Sequence, residues 1–373
     1  MNLLFVIEKS YPIKDASARV LNKLIESDVF ENDDIHILSF GNCNCFKKKN
    51  VSFHFVKEKK YFIPRVLGKL FKRRFFANLF KINSYKKHIK RILNYHKIDR
   101  TIFVLGDFNL FYCANNLNTD YFAIYYDPFI GNYFYSKTSR KKLNRIESEF
   151  LRKCKKAFLL NEYLYLYKEQ YPNYSSKMIS FNITSFYSLD ERLVISSFKN
   201  KNFFLNCGGF FPNIRPPETL FEFADELLKK YPHFDVVSLS KLPKMYNKCT
   251  KPSNLVFHER IEGDNYLRFI GEARCLLLFD NKKEYPQIPS KLFEFISTNK
   301  KIVFFTEDFN RIPNVIRNNS LNIFIIRYGS KINDETISKL FDFIKIKETT
   351  YDIETVFYKY SADYNAKIIK KNI

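Results

Sequence analysis

Apolar runs of strand length recur along the chain. They stand at 2–7 (NLLFVI), 34–39 (DIHILS), 51–56 (VSFHFV), 101–105 (TIFVL), 121–126 (YFAIYY), 156–160 (KAFLL) and 177–181 (KMISF). Segments with helical periodicity, such as 17–28 and 139–154, separate most of them. Strands that alternate with helices predict a parallel sheet covered on both faces. A polar connection is expected at about 186–201, after which the pattern restarts. The second series of strands is 202–206, 234–239, 254–257, 274–279, 301–305 and 322–326, with helices expected at 217–230, 264–272, 290–297 and 333–345. The reading is an α/β chain of two doubly wound, Rossmann-like parallel-sheet domains, 1–190 and 200–350. Ligands of such sheets bind beyond the carboxyl ends of the strands, so two units facing each other predict a central cleft.

Length and composition agree with that division. A chain of 373 residues exceeds the usual size of one core, and 46% hydrophobic content excludes a disordered chain. The 41 Phe and 25 Tyr, with no Trp and only 9 Gly, fit an AT-rich coding bias as well as selection. No run reaches the roughly 18 apolar residues of a spanning helix, and Glu8 and Lys9 cut short the apolar start, so a cytosolic protein without a signal peptide is expected. Seven cysteines in no framework fit reduced thiols. Cys43 and Cys45 form a C-x-C with no second ligand pair at metal spacing, and the six histidines are scattered singly without a signature.

The net charge of +23 is concentrated. Between Lys57 and Lys97 fourteen Lys and Arg face one acid, Glu58. Val66, Leu67, Leu70, Phe71, Phe75, Leu79 and Phe80 recur there near helical spacing, with Lys69, Lys72, Arg73 and Arg74 between them. Three readings share this pattern. The apolar stripe packs on its own domain and the cations solvate the outer face. Alternatively, a basic amphipathic helix rests on an anionic membrane leaflet, each cation contributing about 1 kcal/mol. The third is a phosphate and base-stacking surface for nucleic acid. No RNP-like aromatic pair, GXXG loop or zinc knuckle accompanies the patch, so no nucleic-acid partner is expected.

Several stretches carry a resemblance. The opening MNLLFVIEKSYPIKDASARVLNKLIES resembles the start of the GT-B-type glycosyltransferases of family 4. RIESEFLRKCKKAFLLNEYLYLYKEQYP is similar to the helix before the last strand of their acceptor domain. NFFLNCGGFFPNIRPPETLFEFADELLKKYP is similar to the glycine loop and first helix of their donor domain, and IPSKLFEFISTNKKIVFF to their donor-site helix and the strand after it. In order and spacing these span nearly the whole chain. The resemblance implies a retaining transferase that needs no metal or other cofactor, and a last helix, about 354–373, that crosses back onto the first domain.

Within the donor-site segment, the residues allow two accounts of Glu294. At 100° per residue Leu292, Phe293, Phe295 and Ile296 cluster on one side and Glu294 falls almost opposite, as in any amphipathic helix. The functional account rests on position, because this helix follows the fourth strand of the second unit and its N-terminus can offer N–H groups and a positive dipole end to a diphosphate. A rival helix start at Pro217 and Glu218 lacks one N–H and already carries an acid. Ser290 and Lys291 open the other with no acid before Glu294. Gly208 and Gly209 would let the facing backbone approach, and Arg215 would add a cation.

By resemblance, Glu294 accepts hydrogen bonds from the ribose of the sugar nucleotide. Many family members carry another glutamate eight positions earlier, where this chain has Pro286, with Glu284 displaced by two. Lys291 and Arg215 are the candidates for stabilising charge on the leaving diphosphate, and Asp127, after a first-unit strand, for placing the acceptor hydroxyl. A turn before Pro128 accounts for Asp127 equally well. Asp15 and Arg19 are weaker candidates of the same kind. No D-x-D follows a strand at a cleft position, so no metal is expected.

The function expected is transfer of a sugar from a nucleotide-diphosphate donor to a glycan or lipid-linked acceptor in cell-surface polysaccharide synthesis. The enzyme would lie at the inner face of the membrane, held by the basic patch. The alternatives are a sugar-nucleotide epimerase on the same fold and a non-catalytic protein that binds nucleic acid or membrane.

Overall fold

The computed structural model describes residues 1–7, 16–40, 49–56, 73–106, 109–117, 119–126, 129, 137–183, 186–211, 214–259, 261, 263–281 and 288–373, with backbone alone at 16–19, 40, 73–81, 137–140 and 311. Two compact units emerge. The first comprises Met1–Thr184 with Lys359–Ile373, the second Ser185–Tyr358.

Unit 1 holds a seven-stranded parallel sheet. Its strands are β1 (Asn2–Ile7), β2 (Asp34–Phe40), β3 (Val51–Val56), β4 (Arg100–Leu105), β5 (Tyr121–Tyr125), β6 (Ala157–Leu160) and β7 (Met178–Phe181). They lie in the order β3-β2-β1-β4-β5-β6-β7. The central strands are buried on both faces, which is why they read as continuous apolar runs. Helices Ala16–Glu26, Arg73–His96, Asn109–Asn115, Lys137–Lys153 and Leu164–Gln170 connect strands of this sheet.

Unit 2 repeats the plan with β8 (Phe203–Asn206), β9 (Asp235–Ser238), β10 (Leu255–Phe257), β11 (Cys275–Phe279), β12 (Ile302–Thr306) and β13 (Ile323–Arg327). Their order is β10-β9-β8-β11-β12-β13, again parallel throughout. One apolar layer, built on Phe204, Leu220, Phe223, Leu277, Val303, Ile337 and Leu340, fixes helices Glu218–Lys230 and Asp334–Lys345 against it.

Two segments differ from the sequence reading. The stretch at 186–201, expected as a polar connection, carries the helix Leu189–Ser196, started by a capping box between Ser188 and Glu191. That helix packs so closely on Asp264–Glu272 that a Cβ on Gly271 would stand 2.6 Å from the Ile195 carbonyl oxygen. The C-terminal segment is two helices rather than one. Ile353–Val356 belongs to unit 2 and Ala362–Asn372 to unit 1. The second is tied down by a Lys370–Asp33 ion pair of 2.7 Å and by Asn365, whose Oδ1 accepts from the Asn182 N–H at 2.7 Å.

Candidate functional site

The strand order of unit 2 locates the place where a ligand fits. From β8 the chain winds outward through β9 to β10, then returns to β11 and winds the other way through β12 to β13. The segments leaving the carboxyl ends of the adjacent strands β8 and β11 therefore diverge, and a crevice opens between them. The glycine loop leaves β8 there. Asp280, Asn281 and the approach to helix Ser290–Ile296 leave β11.

The glycine loop is held by Asn206, the last residue of β8. Its Oδ1 accepts from the Gly208 N–H at 3.1 Å, while its Nδ2 donates to the Gly208 carbonyl at 3.1 Å and to Ser238 Oγ at 2.9 Å. Phe211 and Arg215 then exchange backbone hydrogen bonds, which folds the loop back. Arg215 reaches across it, donating from Nη1 to the Gly209 carbonyl at 3.3 Å and from Nη2 to Asn281 Oδ1 at 2.8 Å. A Cβ on Gly208 would meet that guanidinium at 3.2 Å, so glycine is what admits the arginine. Asp280 braces the other side, its carboxylate accepting from Thr306 Oγ1 at 2.7 Å and from the Asn281 N–H at 2.8 Å. Burial first, and the Asp280 and Glu307 charges after it, push the nearby Tyr328 hydroxyl up, with Arg215 opposing, so it stays protonated.

The second cluster stands on helix Ser290–Ile296. Pro289 precedes it without a side-chain cap, Ser290 and Lys291 form its half-buried first positions, and no acid lies in its first turn. Glu294, which the helical wheel puts opposite the apolar cluster, is only 3% exposed. The polar side is closed over by two tyrosines. Tyr187 donates to Glu294 Oε2 at 3.3 Å, and Lys291 Nζ lies 2.5 Å from the same oxygen. Lys291 also donates to Tyr266 Oη at 2.6 Å and stands 4.8 Å from the centre of that ring. Burial, with Cys207, Tyr187 and Glu294 as its charged or ionisable neighbours, holds the Tyr266 hydroxyl well above its ordinary range. Cys207 begins the glycine loop, so Tyr266 stands between the two clusters. The helix end is fixed as well, because Ser297 Oγ donates to the Glu294 carbonyl at 2.7 Å and accepts from the Tyr187 N–H at 3.0 Å.

Gly208, Gly209 and Arg215 thus fall in one cluster, and Ser290, Lys291 and Glu294 in the other. The competing helix start is occupied, since the Glu218 carboxylate accepts from Tyr246 Oη at 2.7 Å. Tyr187, Tyr266, Asn206 and Asn281 carry no motif and emerge only from the fold. Asp127, Asp15, Glu284, Pro286, Lys69 and Lys72 lie outside the described residues, and Arg19, Arg73 and Arg74 are described by backbone alone. Arg73 and Arg74 open the helix Arg73–His96. Among the described residues no helix is long and apolar enough to cross a membrane.

No family model matches the chain, and no curated protein matches it in sequence. Solved structures do match its fold over its full length. Sucrose-phosphate synthase from Thermosynechococcus elongatus superposes with a TM-score of 0.61 at 7% identity, covering 100% of this chain and 94% of that one. The glycosyltransferase WaaG, involved in lipopolysaccharide biosynthesis, gives 0.59 at 13% identity over 99% and 98% of the two chains. UDP-GlcNAc 2-epimerase from Methanocaldococcus jannaschii gives 0.57 at 12% identity over 100% and 99%. The architecture is GT-B, with its two Rossmann-like domains, and identities this low establish the fold alone.

Proposed function

We propose that this protein is a glycosyltransferase that takes a sugar from a nucleotide-diphosphate donor and passes it to a glycan or lipid-linked acceptor, with retention. The observation that carries the proposal is the buried Lys291–Glu294 pair beside the switch point of unit 2, backed by Tyr187 and Tyr266. A fixed carboxylate suits ribose hydroxyls, which donate to it. Lys291 and Arg215 oppose the charge that grows on the departing diphosphate, and Gly208 and Gly209 put no side chain between the loop and its oxygens. Transfer with no protein nucleophile then depends on placing the acceptor hydroxyl, the role proposed for Asp127 of unit 1. The setting proposed is surface polysaccharide synthesis at the inner membrane face, where the basic stretch including Lys69, Lys72, Arg73 and Arg74 would meet anionic lipid.

A sugar-nucleotide epimerase is the second reading, favoured by the full-length fold match to UDP-GlcNAc 2-epimerases. Both readings require a sugar nucleotide in unit 2, and the acceptor separates them. A transferase releases nucleoside diphosphate in step with acceptor glycosylated, whereas an epimerase interconverts sugar nucleotides with no acceptor present.

Thermal stabilisation across a panel of sugar nucleotides tests the common core. A ligand at 100 times its dissociation constant adds about 2.7 kcal/mol of stability. Glu294→Gln, which keeps the shape and loses the charge, weakens binding about tenfold to a hundredfold, the worth of a charged hydrogen bond. A panel that leaves the melting temperature unmoved, alongside RNA binding that falls steeply with salt, would overturn the proposal in favour of a non-catalytic nucleic-acid protein.

A further inference from the structure

Three of the six histidines, unremarkable in sequence, meet in unit 1. His36 on β2 and His54 on β3 share one face of the sheet, because the parallel register pairs His36 with Ser52 and Leu38 with His54. The third comes from helix Arg73–His96, whose inward stripe is Tyr85, Ile89 and Ile92, all buried; His96, four residues further, continues it. The helix ends there, with Lys97 in the left-handed region at φ 47° and the Asn2 side chain donating to the His96 carbonyl at 3.1 Å. One imidazole nitrogen from each of the three lies within 4.8 Å of the others, and His36 Nδ1 is 3.0 Å from His54 Nε2.

We infer that His36, His54 and His96 form a three-histidine site for one divalent late transition-metal ion, zinc or a chemical relative. Imidazole nitrogens at roughly 2.0–2.1 Å from a tetrahedral ion stand about 3.3 Å apart, close to the spacing already present between two of the rings. The third has a ring nitrogen within 4.8 Å of both. Imidazoles are ligands suited to zinc, copper, nickel and cobalt, and they bind in the neutral form. Above the cluster a cavity of about 490 Å³, with His88 and Arg91 at its lining, reaches His54 and His96 and leaves a fourth position to water or an outside ligand. Such an ion would clip the edge strand β3 and its neighbour β2 to the end of the helix that leads into β4. The site is independent of the sugar-nucleotide reading, which concerns unit 2.

The alternative is a plain stack of hydrogen-bonded imidazoles, with ring centres 4.3 Å apart for His36 and His96. Cobalt(II) titration of chelator-treated full-length protein decides between them. The expected result is one ion per chain, visible d–d bands of tetrahedral intensity, and their loss when zinc is added. His96→Ala and His54→Ala each weaken the site by roughly a hundredfold or more, while His88→Ala leaves it unchanged. His96 ends its helix and is half-buried, so that variant retains the fold, which circular dichroism checks. Absence of saturable binding, an unchanged titration in His96→Ala, or a thiolate charge-transfer band marking cysteine ligation would each overturn the inference.

Discussion

Removing the Lys291–Glu294 pair one side at a time gives a sharp test of what it is for. Glu294 is 3% exposed and its carboxylate sits 2.5 Å from an ammonium whose side chain keeps 21% of its surface in solvent. Deleting one member of a buried ion pair costs about 3–5 kcal/mol, because the other is left charged in a poor solvent. The two deletions are not equivalent here. In Lys291→Met the carboxylate keeps Tyr187 as a hydrogen-bond donor but stays enclosed, so the loss is near the upper end, about 4–5 kcal/mol. In Glu294→Leu the ammonium keeps Tyr266 and a partial path to water, so the loss is smaller, about 2–3 kcal/mol. The double variant, apolar on both sides and similar in volume, strands neither charge and lies within about 1–2 kcal/mol of the parent.

The coupling energy in this cycle is therefore about 3 kcal/mol or more, well above the few tenths expected of independent sites. Urea unfolding of the four proteins measures it, provided the transition of unit 2 is followed. A double variant that loses the sum of the two singles would refute the reasoning, since it would mean that neither charge depends on the other. The folded double variant then serves a second purpose. If an apolar pair holds the helix as well as the ionic one, the ions are there for what they bind, and loss of nucleotide affinity in a stable protein is the expected result.

Two further predictions concern unit 1. Burial raises the Glu147 carboxyl to about 7, against a 2.8 Å hydrogen bond from Tyr171 and the nearby Tyr167 and Tyr125 hydroxyls that lower it. The folded state thus holds this proton more tightly than the unfolded chain. The stability this confers is full below about pH 4.5 and is lost as pH rises through 7, a difference of about 3 kcal/mol that Glu147→Gln abolishes. Denaturation of both proteins at about pH 5 and about pH 8 checks this, and a gap between them that does not change with pH would contradict it. For the basic patch, replacing Lys69, Lys72, Arg73 and Arg74 by Glu is expected to abolish flotation with anionic vesicles, at a loss of about 1 kcal/mol for each cation removed. Unchanged flotation would leave those cations as a solvated face.

The fold was legible because it is written in one signal. Central strands buried on both faces read as apolar runs, and every one of the thirteen described strands, the more exposed β3, β10 and β13 included, stands out as a run rich in apolar residues, with ends shifted by a residue or so. The glycine loop and the Ser290 helix were legible as local punctuation. What could not be read is whatever depends on distant residues. Tyr187 reaches Glu294 from 107 positions away and Tyr266 meets Lys291 from 25. No period on one helix reports side chains supplied from elsewhere, so the wheel put Glu294 opposite the apolar cluster without showing what covers it. The histidines failed for the same reason, since register between β2 and β3 and the phase of a long helix bring them together.

The same contrast explains where chemistry is decided on this fold. Transferases and an epimerase both match the chain over its full length, so the architecture does not choose between them. What unit 2 adds is a crevice flanked by two polar clusters, one with a guanidinium across a glycine loop and the other with an ammonium against an enclosed carboxylate. Both are braced by neutral partners, Asn206, Asn281, Tyr187 and Tyr266, which fix direction, and Lys291 is in addition paired with Glu294. Cations held in place in this way suit a diphosphate whose charge rises as its bond to the sugar breaks, because no reorganisation is needed at that moment. The choice between transfer and epimerisation therefore rests on whether nucleoside diphosphate is released in step with an acceptor, which a turnover assay with and without acceptor reads directly.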